Sequence, residues 1–200
     1  MLPAIMLGEE LFLDMRSIVG PDRYVRGRTD ALLVHHAGAG AAIGDDLNFN
    51  GTTEDEEEAW IRSINAFGRD VRGWSCVFPY QATAFPSGRV YVVGDCGGAR
   101  AHIAELNNLY AGIVLPGDWS TELPPDGDIT GARRWVAAMR RHHGWDIPVV
   151  GHREVALPSE GTACPGEGGM VALALIRNME RPVFDGEGGA PMSLEERIAN

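Results

Sequence analysis

Short continuous apolar runs alternate along this chain with stretches whose apolar residues recur at helical spacing, a pattern that predicts strands interleaved with helices. Ala31-Leu32-Leu33-Val34 is the first clear strand, and it leads into His35-His36 and a turn at Gly38 and Gly40. Asp45 to Thr53 is polar and glycine-bearing and reads as a loop. Thr53-x-x-Glu56 is a capping-box pattern that opens a helix, with Ala59, Trp60, Ile64 and Phe67 on its buried face. Gly68 to Trp74 closes that helix. Val77 to Ala84 and Arg89 to Val93 then read as a strand pair joined by Pro86-Ser87-Gly88. Gly94 to Gly98 reads as a flexible connection, and Ile113 to Leu115 as a short central strand ended by Pro116-Gly117. After the loop Pro124 to Gly127, a helix capped by Asp128 or Thr130 runs to about His143. Trp135, Val136 and Met139 face inward on it, Arg133, Arg134, Arg140 and Arg141 face outward, and Gly144 stops it. Ile147 to Val150 is the last strand, and Met170 to Met179 is an apolar helix expected to pack beneath the candidate site described below. The order implies an α/β fold around a central mixed β-sheet.

Residues 1–30 carry Pro3, Gly20-Pro21 and several charges, and read as a lead-in segment, irregular or partly helical over Glu9 to Ile18. Residues 31–180 then form one domain, and 181–200, rich in Gly, Pro and Glu, a flexible tail. The chain has 17 Lys plus Arg against 28 Asp plus Glu, a net charge of −11, which excludes a nucleic-acid partner because phosphate binding needs a positive field. Much of the acid lies in Glu54 to Glu58, read as the solvated first turns of a helix. The amino terminus lacks the basic start and cleavage pattern of a signal peptide, and no run approaches the roughly 18 apolar residues that span a bilayer. A protein made in the cytoplasm, monomeric and without membrane insertion, is the expectation. Cys76, Cys96 and Cys164 are odd in number, so no complete disulfide framework forms, and Cys76 and Cys96, which flank the strand pair, read as buried thiols, with a bond between them as the alternative.

The candidate chemistry sits in Gly151-His152-Arg153-Glu154 and Thr162-Ala163-Cys164-Pro165-Gly166. His152 ends an apolar strand and Cys164 lies in a tight turn, and zinc prefers such nitrogen and thiolate ligands. The third ligand is His35 or His36. Neighbours on a strand point to opposite faces, so only one of them meets the metal. Two histidines and a cysteine leave one position open, a catalytic rather than structural zinc arrangement, unless Cys96 folds over to close it.

In that order, His35-His36, Gly-His-Arg-Glu and Thr-x-Cys-Pro-Gly resemble the zinc-dependent N-acetylmuramoyl-L-alanine amidases, which include peptidoglycan recognition proteins and phage lysozyme-type amidases. Tyr80 to Tyr91, with its Gly-Arg-Val-Tyr ending, is similar to the family's tyrosine-led hairpin. Ala101-His102 through Asn107, followed by Gly112 to Asp118, resembles another of its blocks. The resemblance runs from about Ala31 to about Met179 and implies a mixed sheet flanked by helices with Zn²⁺ in a groove at its edge. It implies His35, His152 and Cys164 as metal ligands, Tyr80 and Thr162 as catalytic donors, and His36, His102 and Asn107 along the substrate groove. The implied reaction is hydrolysis of the amide between the lactyl group of N-acetylmuramic acid and L-alanine of peptidoglycan, with a phage endolysin acting after release from its host as the implied setting. Thr162 stands where some relatives carry a lysine, and Val114 where one subgroup carries a glutamate base; Glu105 and Glu154 read as surface carboxylates, with substitution for that base as the alternative. His142-His143 read as a helix-end cap. The competing reading is a peptidoglycan-binding module of the same fold without catalysis.

Overall fold

A seven-stranded sheet forms the centre of the computed structural model, which describes residues 3–7, 10–19, 24–25, 29–38, 49–73 and 78–178. Its strands are β1 (Ala4–Leu7), β2 (Glu10–Asp14), β4 (Ala31–His36), β5 (Ala82–Ala84), β6 (Val90–Val92), β8 (Tyr110–Leu115) and β9 (Val149–Gly151). They lie in the order β1-β2-β6-β5-β8-β4-β9. β5, β8, β4 and β9 run parallel, whereas β6 pairs antiparallel with β5 and parallel with β2, so the sheet is mixed as the order of elements predicts. A separate pair joins β3 (Tyr24–Val25) to β7 (Gly98–Ala99), where the sequence reads as a flexible connection.

Helices cover both faces. Along β8, Ala111, Ile113 and Leu115 pack with α3 (Asp126–His143) and α5 (Gly166–Arg177), while Val114 points the other way, into a cluster with Trp60, Ile61 and Ile64 of α2 (Glu54–Asp70). The period of two that splits these residues holds on β4, where Leu32 and Val34 join the α3 and α5 layer and Leu33 packs with Ile103 on the opposite face. His35 shares that second face with Leu33. Each fully buried Leu, Ile or Phe in these layers contributes about 1.5–3 kcal/mol.

Several elements differ from their sequence reading. The lead-in contains a hairpin, β1 against β2, that extends the sheet, followed by one turn of helix α1 (Arg16–Val19). Leu7 and Phe12 enter the α3 layer, Arg134 of α3 lies over the Phe12 ring at 5.5 Å, and it donates to Glu10 at 3.0 Å. A short apolar run has no period of its own, and only this packing makes it a strand. The Thr53 capping box forms, but the buried face of α2 is Glu57, Trp60, Ile61 and Ile64, with Ala59 exposed and Phe67 half-buried. Glu57 is therefore no solvated acid. It is 0% exposed and accepts from Ser87 Oγ at 2.6 Å, Arg89 Nε at 2.6 Å and Tyr91 OH at 2.8 Å. α3 starts at Asp126 after Pro125, which puts Asp128 inside its first turn and fully buried. Arg140, expected outside, is buried and bonds Ile147 O at 3.1 Å and Asp146 at 2.9 Å, tying the end of α3 to the following loop. The predicted tail, Cys76, Val77 and residues 45–48 of the polar loop before Thr53 lie outside the described residues.

Candidate metal centre

Strand geometry separates the two histidines of β4. His35 turns inward on the Leu33 face and is 1% exposed. His36 turns away, its Nδ1 accepting from the Trp119 amide at 3.2 Å and lying 3.6 Å from Asp118. The pairing of Val34 with Gly151 sets the end of β9 beside β4. The chain then enters α4 (His152–Val155), which brings the His152 ring to 4.6 Å from that of His35, centroid to centroid. The Arg153 amide donates to Cys164 O at 2.8 Å and folds the Cys-Pro-Gly turn back over α4, while the His36 amide donates to Cys164 Sγ at 3.4 Å. One donor atom each from His35, His152 and Cys164 thus comes within 4.8 Å of the other two.

Burial decides the protonation states. It holds His35 well below the ordinary imidazole range, helped by His102, His152 and His36. It also lowers His152, against the opposing pull of Glu160. The Cys164 thiol is pushed up to about 12 by burial, with the His36 amide opposing. Two neutral imidazoles and one displaceable thiol proton suit zinc, a borderline-soft ion that takes nitrogen and thiolate ligands. Zinc uptake near neutral pH should therefore release one proton from Cys164 and none from the histidines. Affinity then rises about tenfold per pH unit while the thiol remains protonated in the free protein. Calorimetric titration in buffers of different ionisation enthalpy reads this proton directly; a count of two or more at about pH 6, below the range in which zinc-activated water would ionise, would show the histidines to be charged.

A groove of about 470 Å³ opens over the cluster. Tyr80 lines it with its ring 4.9 Å from that of His35, and burial together with Cys164 holds its phenol above the ordinary value, so it stays a donor. Thr162 also lines it, and its Oγ1 accepts from the Cys164 amide at 3.1 Å. His102 and Asn107 reach the groove wall, and both ring nitrogens of His102 and the Oδ1 of Asn107 are engaged by the protein. Asn107 Oδ1 accepts from the amides of His102 at 2.8 Å and Ile103 at 3.0 Å. His102 Nδ1 lies 3.1 Å from His35 Nε2, and its Nε2 lies 3.0 Å from Tyr110 O. Val114 is fully buried against the α2 layer. Glu105 is exposed, at φ 62°, and Glu154 pairs with Arg177 and caps the Gly151 amide at 2.6 Å, so neither lines the groove. Cys96 lines a different cavity, of about 330 Å³, beside β1 and β6 and does not close the cluster.

The residue that sequence reasoning passed over is Glu160. Its Oε1 lies 2.9 Å from His152 Nε2, and its Oε2 is buried without a partner among the described residues. The Nε2 contact leaves His152 Nδ1 for a metal, a carboxylate–histidine pairing of the kind that raises ligand basicity. An acidic residue in the Pro158-Ser159-Glu160-Gly161 turn between two ligands was the available signal.

The architecture and this groove define a class, the mixed α/β fold of peptidoglycan recognition proteins and amidases. Residues 26–167 match the family described as N-acetylmuramoyl-L-alanine amidase (Amidase_2), and the chain belongs to that family. Peptidoglycan-recognition protein LB of Drosophila melanogaster is 31% identical over 108 residues, a match that spans 53% of this chain and 44% of that protein's length. The solved wild-type Drosophila PGRP-LB is 26% identical, with a TM-score of 0.66 over 85% of this chain and 94% of that one. A mutant of it in complex with tracheal cytotoxin has the same TM-score of 0.66 at 24% identity, over 85% and 95% of the two chains. The endolysin N-acetylmuramoyl-L-alanine amidase LysCS of Clostridium intestinale shares the fold at 19% identity, with a TM-score of 0.52 over 75% of this chain and 82% of that one.

Proposed function

We propose that this protein is a zinc-dependent amidase that hydrolyses the bond between the lactyl group of N-acetylmuramic acid and L-alanine in peptidoglycan. The observation that carries the reading is the complete His35, His152 and Cys164 donor set with Tyr80 beside it in one groove. When bound, zinc would polarise the scissile carbonyl and activate water. His35, His152 and Cys164 hold it. The protonated Tyr80 phenol donates to the carbonyl oxygen as that oxygen gains charge, and groups placed for the transition state lower the barrier more than groups that bind substrate alone. Thr162 has accepted the Cys164 amide with its oxygen and keeps its own O–H to offer to the groove. Glu160 fixes the His152 ring. Asn107 and His36 shape the wall by holding the 102–103 backbone and the Trp119 amide. The Drosophila relative bound to tracheal cytotoxin supports a muropeptide as the ligand class. Cell-wall lysis after release from the producing cell, as for an endolysin, is the setting we infer.

Mass spectrometry of purified peptidoglycan incubated with the zinc-loaded protein tests the reading. New L-alanine amino termini on intact glycan strands are expected. Sacculi bound but uncut by fully loaded protein would instead establish a binding module. In the same assay Tyr80→Phe should lower kcat by about 10²–10³-fold. Its zinc content should be unchanged, since the phenol is outside the donor set.

A further inference from the structure

His102 lies against a metal-ligand candidate, yet it is not one of the three clustered donors. We propose that it is a positioning residue that fixes the tautomer of His35, so that His35 offers its Nδ1 lone pair to the metal. The inference rests on the metal-centre reading above.

The proton positions follow from one fixed group. The Tyr110 carbonyl, on β8, can only accept, so His102 Nε2, 3.0 Å away, carries the hydrogen. In the neutral ring Nδ1 is then the acceptor, and the group facing it at 3.1 Å is His35 Nε2, which must donate. His35 Nδ1 is left bare, and this is the nitrogen 3.6 Å from Cys164 Sγ. The reverse arrangement would set a His102 lone pair against the Tyr110 carbonyl oxygen and place a proton on the metal side of His35.

The slot around His102 is built to hold this ring. Asn107 Oδ1 clamps the amides of His102 and Ile103. Beneath the ring, β8 has Gly112, where an added Cβ would lie 3.0 Å from His102 Nδ1 and 3.1 Å from Cγ. His102 is 7% exposed. The two histidine ligands are thus oriented by different chemistry, His152 by a carboxylate and His35 by a neutral imidazole relayed to a backbone carbonyl. The relay sets direction without adding a negative charge beside the metal.

The test uses the full chain with ¹⁵N-labelled histidine, stripped of zinc, in long-range ¹H–¹⁵N correlation spectra, together with zinc affinity from chelator competition. Wild-type His35 should show the Nε2–H form alone. His102→Leu should show both tautomers at His35 and weaken zinc binding about 10–100-fold. His102→Asn, which restores an acceptor near the Nδ1 position, should recover most of both. Gly112→Ala crowds the same ring nitrogen from β8 and should reproduce the His102→Leu phenotype, which keeps the test available if that variant fails to fold. An Nδ1–H form at His35 in the wild type would overturn the proposal, as would an unchanged His35 spectrum and zinc affinity in folded His102→Leu or Gly112→Ala. A wild-type protein that takes up no zinc would sink the metal reading alone, because the tautomer spectrum is recorded without metal.

Discussion

Cys164→Ala should lose stoichiometric zinc and all peptidoglycan hydrolysis while keeping its fold. Loss of an outer hydrogen-bond partner of a ligand weakens metal binding by about 10–100-fold, and loss of one ligand of three costs more. Cys164 is also the only anionic donor the cluster can offer, so what remains is two neutral imidazoles. The fold should survive because the neighbouring elements are tied down independently. Arg153 pairs with Glu167 at 2.6 Å, Arg177 donates to Val149 O at 2.6 Å, and Ala172, Leu173 and Ile176 of α5 are fully buried. Metal analysis, a thermal melt and muropeptide product analysis on one preparation check all three parts. Retention of wild-type zinc content by folded Cys164→Ala would remove this cysteine from the ligand set.

Glu57→Ala should destabilise the protein by about 3–5 kcal/mol, the usual cost of removing one partner from a buried charged network. Three donors converge on this carboxylate from the β5–β6 hairpin, and Tyr91 among them is itself fully buried, so its hydroxyl would be left without an acceptor. Asp128 does not take over. Burial, and then the charge of Glu57, hold its carboxyl well above the ordinary range, and neither of its oxygens is bonded among the described residues. Glu58→Ala, next in the chain, removes only an i,i+4 contact with Arg62 at 3.5 Å and should change stability by less than about 0.5 kcal/mol. Urea midpoints of the two variants compare them directly. Equal shifts would mean that the hairpin donors find water when Glu57 is gone.

The contrast between Glu57 and Glu58 also shows where a sequence stops being readable. Thr53 and Glu56 announce the start of α2 because a capping box is local chemistry. Ala31 to His36 is legible as a strand because its apolar run is short and is closed by the glycine turn at Gly38 and Gly40. Glu57 stands three and four residues before Trp60 and Ile61, on their face, but its charge hides a position that only the distant hairpin explains. β1 and β2 fail for the same reason, since Phe12 is held by α3 from more than a hundred residues away. In the groove, the ligand types and Tyr80 follow from motifs. The role of His102 does not, because it depends on a carbonyl of β8 and a glycine beneath the ring. Glu160 escapes notice because a carboxylate in a surface turn looks like any other until its partner is seen.

The hairpin at the start of the chain bears on how the protein can be shortened. The family match covers residues 26–167, which omits β1, β2 and nearly all of α5. A protein cut to those limits would bare the backbone amides and carbonyls of β6, whose neighbour on that side is β2. It would also uncover the α3 layer where Leu7 and Phe12 had been buried. An open edge beside fresh apolar surface recruits other chains, so a fragment cut to the family match would be expected to aggregate although every groove residue is present. For this protein, the boundary of the chemistry and the boundary of solubility fall at different places in the chain.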